Sequence, residues 1–193
     1  TVFRIFSTTK LMVATGVFQL IESGQVGLED EVSKYVDGLP KHWQAVTVKQ
    51  LLAFASGLPQ IRPGKTEKEM AEATFKQPVQ FQPGEYWNYI QSNPWLLKKV
   101  IEKASGKSFD EHLMQGQFPE AKSVYLSSSS YDVIPNRVSI YKAENPRRKV
   151  EITTDYGEKY LHFANGFNMT LNEFIKWNRN LDKDVYLNDK TKG

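Results

Sequence analysis

The sequence contains no cysteine and only three histidines among its 193 residues. The lack of cysteine excludes disulfides, thiolate metal sites and cysteine nucleophiles. The histidines, His42, His112 and His162, stand far apart without the spacing of metal ligands, so no metal is predicted. A glycine-rich phosphate loop is also lacking, because "SGLPQIRPG" has no strand-to-helix frame. We therefore expect no cofactor.

Long apolar runs and an excess of one charge are lacking as well. No stretch approaches the roughly 18 to 20 apolar residues of a membrane span, which predicts no transmembrane segment in this chain. The 25 basic and 22 acidic residues nearly balance and give a formal net charge of +3. The basic run Arg147-Arg148-Lys149 is short and is interpreted as a solvated loop, so nucleic acid is not expected as a partner.

What the sequence does contain is an ordinary globular mixture, with 40% hydrophobic and 12% aromatic residues. Apolar residues repeat at helical spacing from Val13 to Ile21 and predict a first helix from about Ser7 to Ser23. One or two helical turns are expected from Glu67 to Phe75. Capping residues and glycines indicate four more helices: Thr47 with Gln50 before Gly57, Asn93 and Pro94 before Gly106, Ser108 with Glu111, and Thr170 with Glu173.

Signals for β-strands are fewer. The segments "KSVYLS" and "KVEITTDYGEKYLHFA" carry β-branched and aromatic residues in partial alternation. Tyr156-Gly157-Glu158 is typical of a turn, so we predict a hairpin near residues 149–164. Trp87, Trp95 and Trp177 are expected in the core rather than in a stacking surface.

The start of the first helix carries a pattern with chemical meaning. Ser7 and Lys10 are three residues apart, so a helix places both side chains on one face within hydrogen-bonding reach. A serine hydroxyl needs a neighbouring base to become a nucleophile, and a lysine serves as that base when its amine is neutral. Burial among Phe3, Phe6 and neighbouring apolar residues, together with the positive end of the helix dipole, would favour that neutral form.

The same residues have a simpler interpretation. Serine is a common helix cap and lysine a common surface residue, and a four-residue pattern recurs by chance. Tyr89 is one of nine tyrosines and fits a packing role behind Trp87 equally well. The pattern alone does not decide between these interpretations.

Longer segments resemble a known superfamily. "FRIFSTTKLMVATGVFQLIESGQVGLEDEVSKYV" is similar to the opening of serine β-lactamases and penicillin-binding proteins, in the branch with class C β-lactamases, esterases and D-amino-acid peptidases. "VTVKQLLAFASGLP", "FQPGEYWNYIQSNPWLLKKVIEKASGKSF" and, more weakly, "FANGFNMTLNEFIKW" resemble the same branch in the same order. Together these segments span most of residues 2–177.

The resemblance assigns roles to four residues. It implies that Ser7 is acylated, that Lys10 is its partner, and that Tyr89 opens the family's tyrosine-x-asparagine motif. A lysine beside a phenol favours phenolate, which can pass a proton between Ser7 and the leaving group. Gln91 stands where asparagine is expected, and its longer side chain would displace a contact to the substrate. Phe54 stands where many relatives have histidine.

The third family motif, a lysine or histidine followed by a small residue and glycine on a strand, has no match. Lys190-Thr191-Lys192-Gly193 interposes a lysine and follows no apolar strand. The resemblance therefore implies an α+β, β-lactamase/transpeptidase-like fold in which this chain is a mostly helical internal portion without most of the central antiparallel sheet. We expect one partial domain over 1–193, with the nucleophile helix and connector over 1–36 and a mainly helical region over 37–193.

Three functional hypotheses remain. The first is a serine hydrolase that acts through an acyl-enzyme on β-lactams, D-amino-acid peptides or small esters. The second is a catalytically silent binding or regulatory domain on the same scaffold, and the third is a plain helical interaction domain. The expected partners are a small-molecule substrate and the remainder of the protein, or another chain, that completes the sheet. The resemblance alone favours an exported bacterial protein, and it implies that the isolated segment is inactive because an oxyanion-hole donor is missing.

Overall fold

The structure is a computed structural model that describes residues 1–129, 132–143, 150–153 and 161–192. These residues form eight α-helices: α1 Thr9–Glu22, α2 Val48–Leu52, α3 Glu67–Phe75, α4 Ser92–Ser105, α5 Phe109–Gln117, α6 His162–Asn165, α7 Leu171–Asp182 and α8 Asp189–Lys192. Three short 3-10 turns cover Phe6–Thr8, Val32–Lys34 and Lys41–Trp43. Five strands accompany them: β1 Phe3–Arg4, β2 Val124–Leu126, β3 Ile140–Ala143, β4 Val150–Thr153 and β5 Phe167–Met169.

A small antiparallel sheet lies next to the first helix. Its strand order is β1-β5-β2, and the central strand β5 is buried along its whole length. Met169 is paired with Phe3 on one side and with Val124 on the other. Just after β1, the Ile5 N–H donates to the Phe167 carbonyl at 3.0 Å. The start of the chain is thereby fixed against residues that lie about 160 positions later.

Helix α1 forms the centre of the core. Its apolar stripe buries Met12, Val13, Val17 and Leu20, and it packs on α4, α5 and α6. Large aromatic side chains fill the space around it, which removes much apolar area from water. The largest buried rings are those of Trp43, Trp95, Trp177, Phe109, Phe163 and Phe167. The prediction that Trp95 and Trp177 lie in the core is confirmed.

The predicted helix ends are confirmed in part. Helix α2 ends at Leu52 and not at Gly57, and α1 begins at Thr9 and not at Ser7 because Phe6–Thr8 forms a 3-10 turn. Thr47 and Gln50 form the full capping box at α2, and Gly106 ends α4 in the left-handed conformation with φ of 68°. Ser108 and Thr170 accept the backbone hydrogen bonds expected of caps, and the helix predicted over Glu67 to Phe75 has those bounds. The cap predicted at Asn93 is wrong. Helix α4 begins at Ser92, two residues before the predicted first residue Pro94, and the buried Asn93 Oδ1 instead accepts a hydrogen bond from Ser56 Oγ at 2.5 Å.

The strand predictions have a mixed outcome. Strand β2 confirms the prediction for "KSVYLS". Strand β4 lies at the start of the predicted hairpin, but it pairs with the preceding strand β3, with Ile140 opposite Thr153 and Ala143 opposite Val150. The predicted turn at Tyr156-Gly157-Glu158 lies outside the described residues.

The segment near Lys190 is helical and lies far from Ser7. Residues Asp189–Lys192 form α8, and the Asn188 N–H donates to Glu22 Oε1 at 2.7 Å, at the C-terminal end of α1. Because α1 has 14 residues, its two ends are separated by about 21 Å at 1.5 Å per residue. This position supports the interpretation that the segment is not the third family motif.

Candidate active site

Ser7 lies at the N-terminal end of α1. It belongs to the turn Phe6–Thr8, and its side chain is exposed. The preceding residue, Phe6, has a φ of 45°, which is uncommon for a non-glycine residue and is often found at functional sites. A hydrogen bond from the Thr8 N–H to the Ile5 carbonyl, at 3.1 Å, closes the turn. The fold thus presents the Ser7 hydroxyl to solvent at the start of a helix.

Lys10 lies one helical turn further along and is half-buried. Its Nζ donates to Ser7 Oγ at 3.4 Å and to the Ala164 carbonyl at 2.9 Å. Ala164 belongs to α6 and is buried, so this carbonyl is a fixed acceptor. The two contacts aim the ammonium group at the serine.

The surroundings of Lys10 differ from the expected apolar pocket. Phe3, Phe6 and Leu11 are 47%, 43% and 53% exposed, so they do not bury the amine as predicted. The reason is that these side chains lie on the outer side of the short strand and of the helix, where the described residues do not cover them. The neighbours of Lys10 are a hydroxyl, a carbonyl and an aromatic ring.

Tyr89 completes the cluster from the middle of the chain. Lys10 Nζ is 5.0 Å from the centroid of the Tyr89 ring, and the phenol is close enough to Lys10 and Ser7 for hydrogen bonding with each of them to affect its ionisation. Burial alone would raise the pKa of the phenol. The two hydrogen bonds and the charge of Lys10 outweigh burial and lower the pKa below its ordinary value of 10.0. The site therefore makes the Tyr89 phenol more acidic than an unperturbed tyrosine.

Two more aromatic rings adjoin Tyr89. Phe54 stacks on it with centroids 5.1 Å apart and an angle of 14° between the rings, and Trp87 lies 6.3 Å from it. The expectation that Trp87 belongs to the core is wrong, because this side chain is 68% exposed. The Asn88 N–H donates to the Phe54 carbonyl at 2.9 Å, which ties the two segments together.

Gln91 is placed beside this cluster rather than in it. Its backbone N–H donates to Gln60 Oε1 at 2.7 Å, and it precedes the first residue of α4. Its side-chain Oε1 is buried and has no hydrogen-bond partner among the described residues. No hydrogen bond joins Gln91 to Ser7, Lys10 or Tyr89 in that part of the chain. The structure thus brings three of the four predicted residues together.

Sequence reasoning missed the groups that hold the site in place. The Ala164 carbonyl anchors Lys10, and buried Thr9 Oγ1 accepts the Phe167 N–H at 3.2 Å. A backbone carbonyl has no sequence signature, because every residue carries one. The threonine could have been suspected only from its place between Ser7 and Lys10.

The described residues contain neither a metal-binding cluster nor a membrane-spanning helix. No cluster of three or more histidine, cysteine, aspartate or glutamate side chains there is arranged to hold a metal ion. Within the same residues, no helix combines the length and apolar character required to cross a membrane.

Comparison with known proteins agrees with the geometry. A family model described as Beta-lactamase matches residues 1–191. The chain belongs to the Beta-lactamase family.

One relative of this family member is much longer than this chain. PbpX of Bacillus subtilis (strain 168), a candidate penicillin-binding protein, is 27% identical over 164 residues. The match covers 83% of this chain and 41% of PbpX. This Beta-lactamase family chain therefore spans about two fifths of the length of that relative.

Solved structures show the same fold. D-amino acid amidase from Ochrobactrum anthropi SV3, in complex with L-phenylalanine amide, superposes with a TM-score of 0.82 and 25% identity, covering 98% of this chain and 58% of the amidase. A class C β-lactamase variant superposes with a TM-score of 0.76 and 20% identity, covering 96% of this chain and 54% of the lactamase. The predicted β-lactamase/transpeptidase-like fold is confirmed for this family member.

Proposed function

We propose that the protein is a serine hydrolase that works through an acyl-enzyme on Ser7. The observation that carries the proposal is the convergence of the Ser7 hydroxyl, the Lys10 ammonium and the Tyr89 phenol in one cluster. Tyr89 lies about 80 positions after Ser7 and Lys10, so local sequence does not explain its approach to them. Membership of the Beta-lactamase family supports the same assignment.

The proposed first step is acylation. Ser7 Oγ attacks the substrate carbonyl carbon while its proton passes to the Tyr89 phenolate, so a carbon–oxygen bond forms and the carbonyl oxygen becomes an oxyanion. The oxyanion then collapses, the bond to the leaving nitrogen or oxygen breaks, and the leaving group takes the proton from Tyr89. Lys10 keeps its positive charge next to the phenol and stabilises the phenolate between these transfers.

The second step returns the serine. Water attacks the acyl-enzyme carbonyl and gives one proton to Tyr89, which passes it to the departing Ser7 Oγ. We propose the Ser7 backbone N–H, at the N-terminal end of α1, as one donor to the oxyanion in both steps. The second donor is expected from the third family motif, a role for which the helical segment at Lys190 is too far away.

The proposed substrates are β-lactams, amides or short peptides of D-amino acids, and small esters. A penicillin-binding protein and a D-amino acid amidase among the similar proteins support this range. In this scheme Gln91, which lies beside the cluster and two residues after Tyr89, contacts the substrate amide or ester. The activity is proposed for the whole protein, since this chain spans 41% of PbpX.

A labelling experiment tests the proposal. The protein expressed from its complete reading frame is treated with a fluorescent penicillin and with a fluorophosphonate, and the labelled peptide is identified by mass spectrometry. Label on the peptide that contains Ser7, abolished in Ser7→Ala, supports the hydrolase. Thr8→Ala is the matched control, since the Thr8 side chain makes no capping hydrogen bond, and it should still be labelled.

The silent binding domain is the second candidate. The observation in its favour is that Gln91, which replaces the expected asparagine, has no hydrogen bond to Ser7, Lys10 or Tyr89 among the described residues. Folded protein that binds penicillin reversibly, with no covalent label on Ser7, would support this candidate and refute the hydrolase.

A further inference from the structure

Trp87 is largely exposed to solvent, which is unusual for a tryptophan side chain. Tryptophan is usually largely buried, because its ring is the largest apolar group among the side chains. Trp87 is nevertheless 68% exposed, whereas Trp43, Trp95 and Trp177 are at most 2% exposed. Its solvent-facing surface is therefore left uncovered by the part of the chain that the structure describes.

The ring is also held in a defined place. Trp87, Phe54 and Tyr89 form an aromatic cluster in which the ring centroids are 5.1 to 6.5 Å apart. Two backbone hydrogen bonds fix its supporting segments, from Asn88 N–H to the Phe54 carbonyl at 2.9 Å and from Gly84 N–H to the Ala55 carbonyl at 2.7 Å. Ordered aromatic surface gives up little conformational entropy when it binds.

The cluster adjoins the reactive groups directly. The Tyr89 ring has Lys10 Nζ, which donates to Ser7 Oγ, 5.0 Å from its centroid, and it is flanked by Trp87 and Phe54. A group that stacks on Trp87 is therefore separated from the Ser7 hydroxyl by little more than the Tyr89 side chain. Phe54 adds an apolar ring at the position where many relatives are expected to have histidine, so this side of the site is apolar.

We propose that Trp87, supported by Phe54, is a specificity-determining residue that receives an aromatic group next to the scissile carbonyl. The substrate class is thus an ester or amide whose acyl part carries an aryl side chain. Stacked or edge-to-face rings gain energy beyond simple burial, so the aryl group is bound more tightly than a methyl group. This inference rests on the proposed serine-hydrolase function.

The experiment compares two esters with the same leaving group, p-nitrophenyl phenylacetate and p-nitrophenyl acetate. The measured quantity is the ratio of their kcat/KM values, which is independent of the fraction of correctly folded enzyme because both values come from one preparation. We expect the ratio to favour the aryl ester in the parent protein and to fall about tenfold in Trp87→Ala. Trp87→Phe should retain most of the preference.

Tyr86 provides a matched control. It lies on the same segment and is 63% exposed, but its ring packs edge-to-face on Phe81 at 5.6 Å instead of on Tyr89. Tyr86→Ala should leave the ratio unchanged. If Ser7 is labelled but Trp87→Ala does not change the ratio of the kcat/KM values, this inference is overturned and the proposed function is not. A Ser7 that is not labelled in the parent overturns the proposed function and the inference with it.

Discussion

Two glycines with the same φ angle offer a test of how the site is held together. Gly57 and Gly106 both have a φ of 68°, in the left-handed region that costs a residue with a Cβ roughly 1–2 kcal/mol. A Cβ at Gly106 would meet no atom within 4 Å, whereas a Cβ at Gly57 would lie 2.0 Å from the Phe81 carbonyl oxygen. Replacement by alanine therefore imposes the same backbone strain at both sites but a collision only at Gly57.

The collision at Gly57 cannot be relieved by a side-chain rotation, because the nearest atom belongs to the backbone. Phe81 must move away, and its segment is held by hydrogen bonds from Gln80 N–H to the Gly57 carbonyl and from Gly84 N–H to the Ala55 carbonyl, each 2.7 Å long. Loss of two such bonds costs about 1–3 kcal/mol in addition to the strain. We expect Gly57→Ala to lower the free energy of unfolding by about 2–5 kcal/mol and Gly106→Ala by about 1–2 kcal/mol.

The two substitutions should also differ in activity. The segment that Gly57 contacts leads to Tyr89, so its displacement moves the phenol relative to Ser7, and a misplacement of about 1 Å can cost on the order of 10²-fold in rate. Urea unfolding followed by tryptophan fluorescence and the rate of Ser7 labelling below the unfolding transition measure the two effects. Equal losses of stability in both variants, or unchanged labelling in Gly57→Ala, would refute the reasoning.

Three further predictions concern charged groups and the phenol. Tyr89→Phe should slow acylation of Ser7 by about 10² to 10⁴-fold with little change in stability, measured by stopped-flow labelling and urea unfolding. Absorbance titration, with Tyr89→Phe as the reference, should show the phenol ionising below pH 10.0 in the parent, and at higher pH in Lys10→Met because a stabilising charge is lost. Burial raises the pKa of Glu67, but hydrogen bonds with Lys99 and Trp95 outweigh it and lower the pKa to about 2, below the 4.5 of an unperturbed carboxyl. The stability that Glu67 contributes is therefore present above pH 4.5 and lost as the pH falls toward 2. In Glu67→Gln the free energy of unfolding should be about 1–2 kcal/mol lower at pH 7 and should decrease less between pH 4.5 and pH 2, as measured by urea unfolding at each pH.

Much of the helical part of the fold could be predicted from the sequence. The caps at Thr47, Ser108 and Thr170 are local, because each side chain bonds a backbone group only a few residues away. The approach of Lys10 to Ser7 is equally local and follows from the helical repeat. Such features depend on short-range geometry that the sequence encodes directly.

The parts that could not be predicted depend on distant contacts. Strands β1 and β5 have two and three residues, too few to show an alternating pattern, and they are strands because they pair with each other. Asn93 is a residue type that often caps helices, but its side-chain Oδ1 accepts a buried hydrogen bond from Ser56 Oγ instead. Trp87 has the large apolar side chain that is typical of core residues, and only the structure shows that its ring faces solvent.

The site is fixed by the backbone on one side and lined by side chains on the other. The Phe167 and Ala164 carbonyls hold Ile5 and Lys10, and these contacts do not depend on which side chains residues 164 and 167 carry. The opposite side, which bears Tyr89, presents Phe54 and Trp87 through their rings. Substitutions on that side can therefore change which acyl group is preferred while Ser7 and Lys10 keep their positions. Phe54, which stands where many relatives are expected to have histidine, lies on the side where a change of the proposed substrate requires the least rearrangement of Ser7 and Lys10.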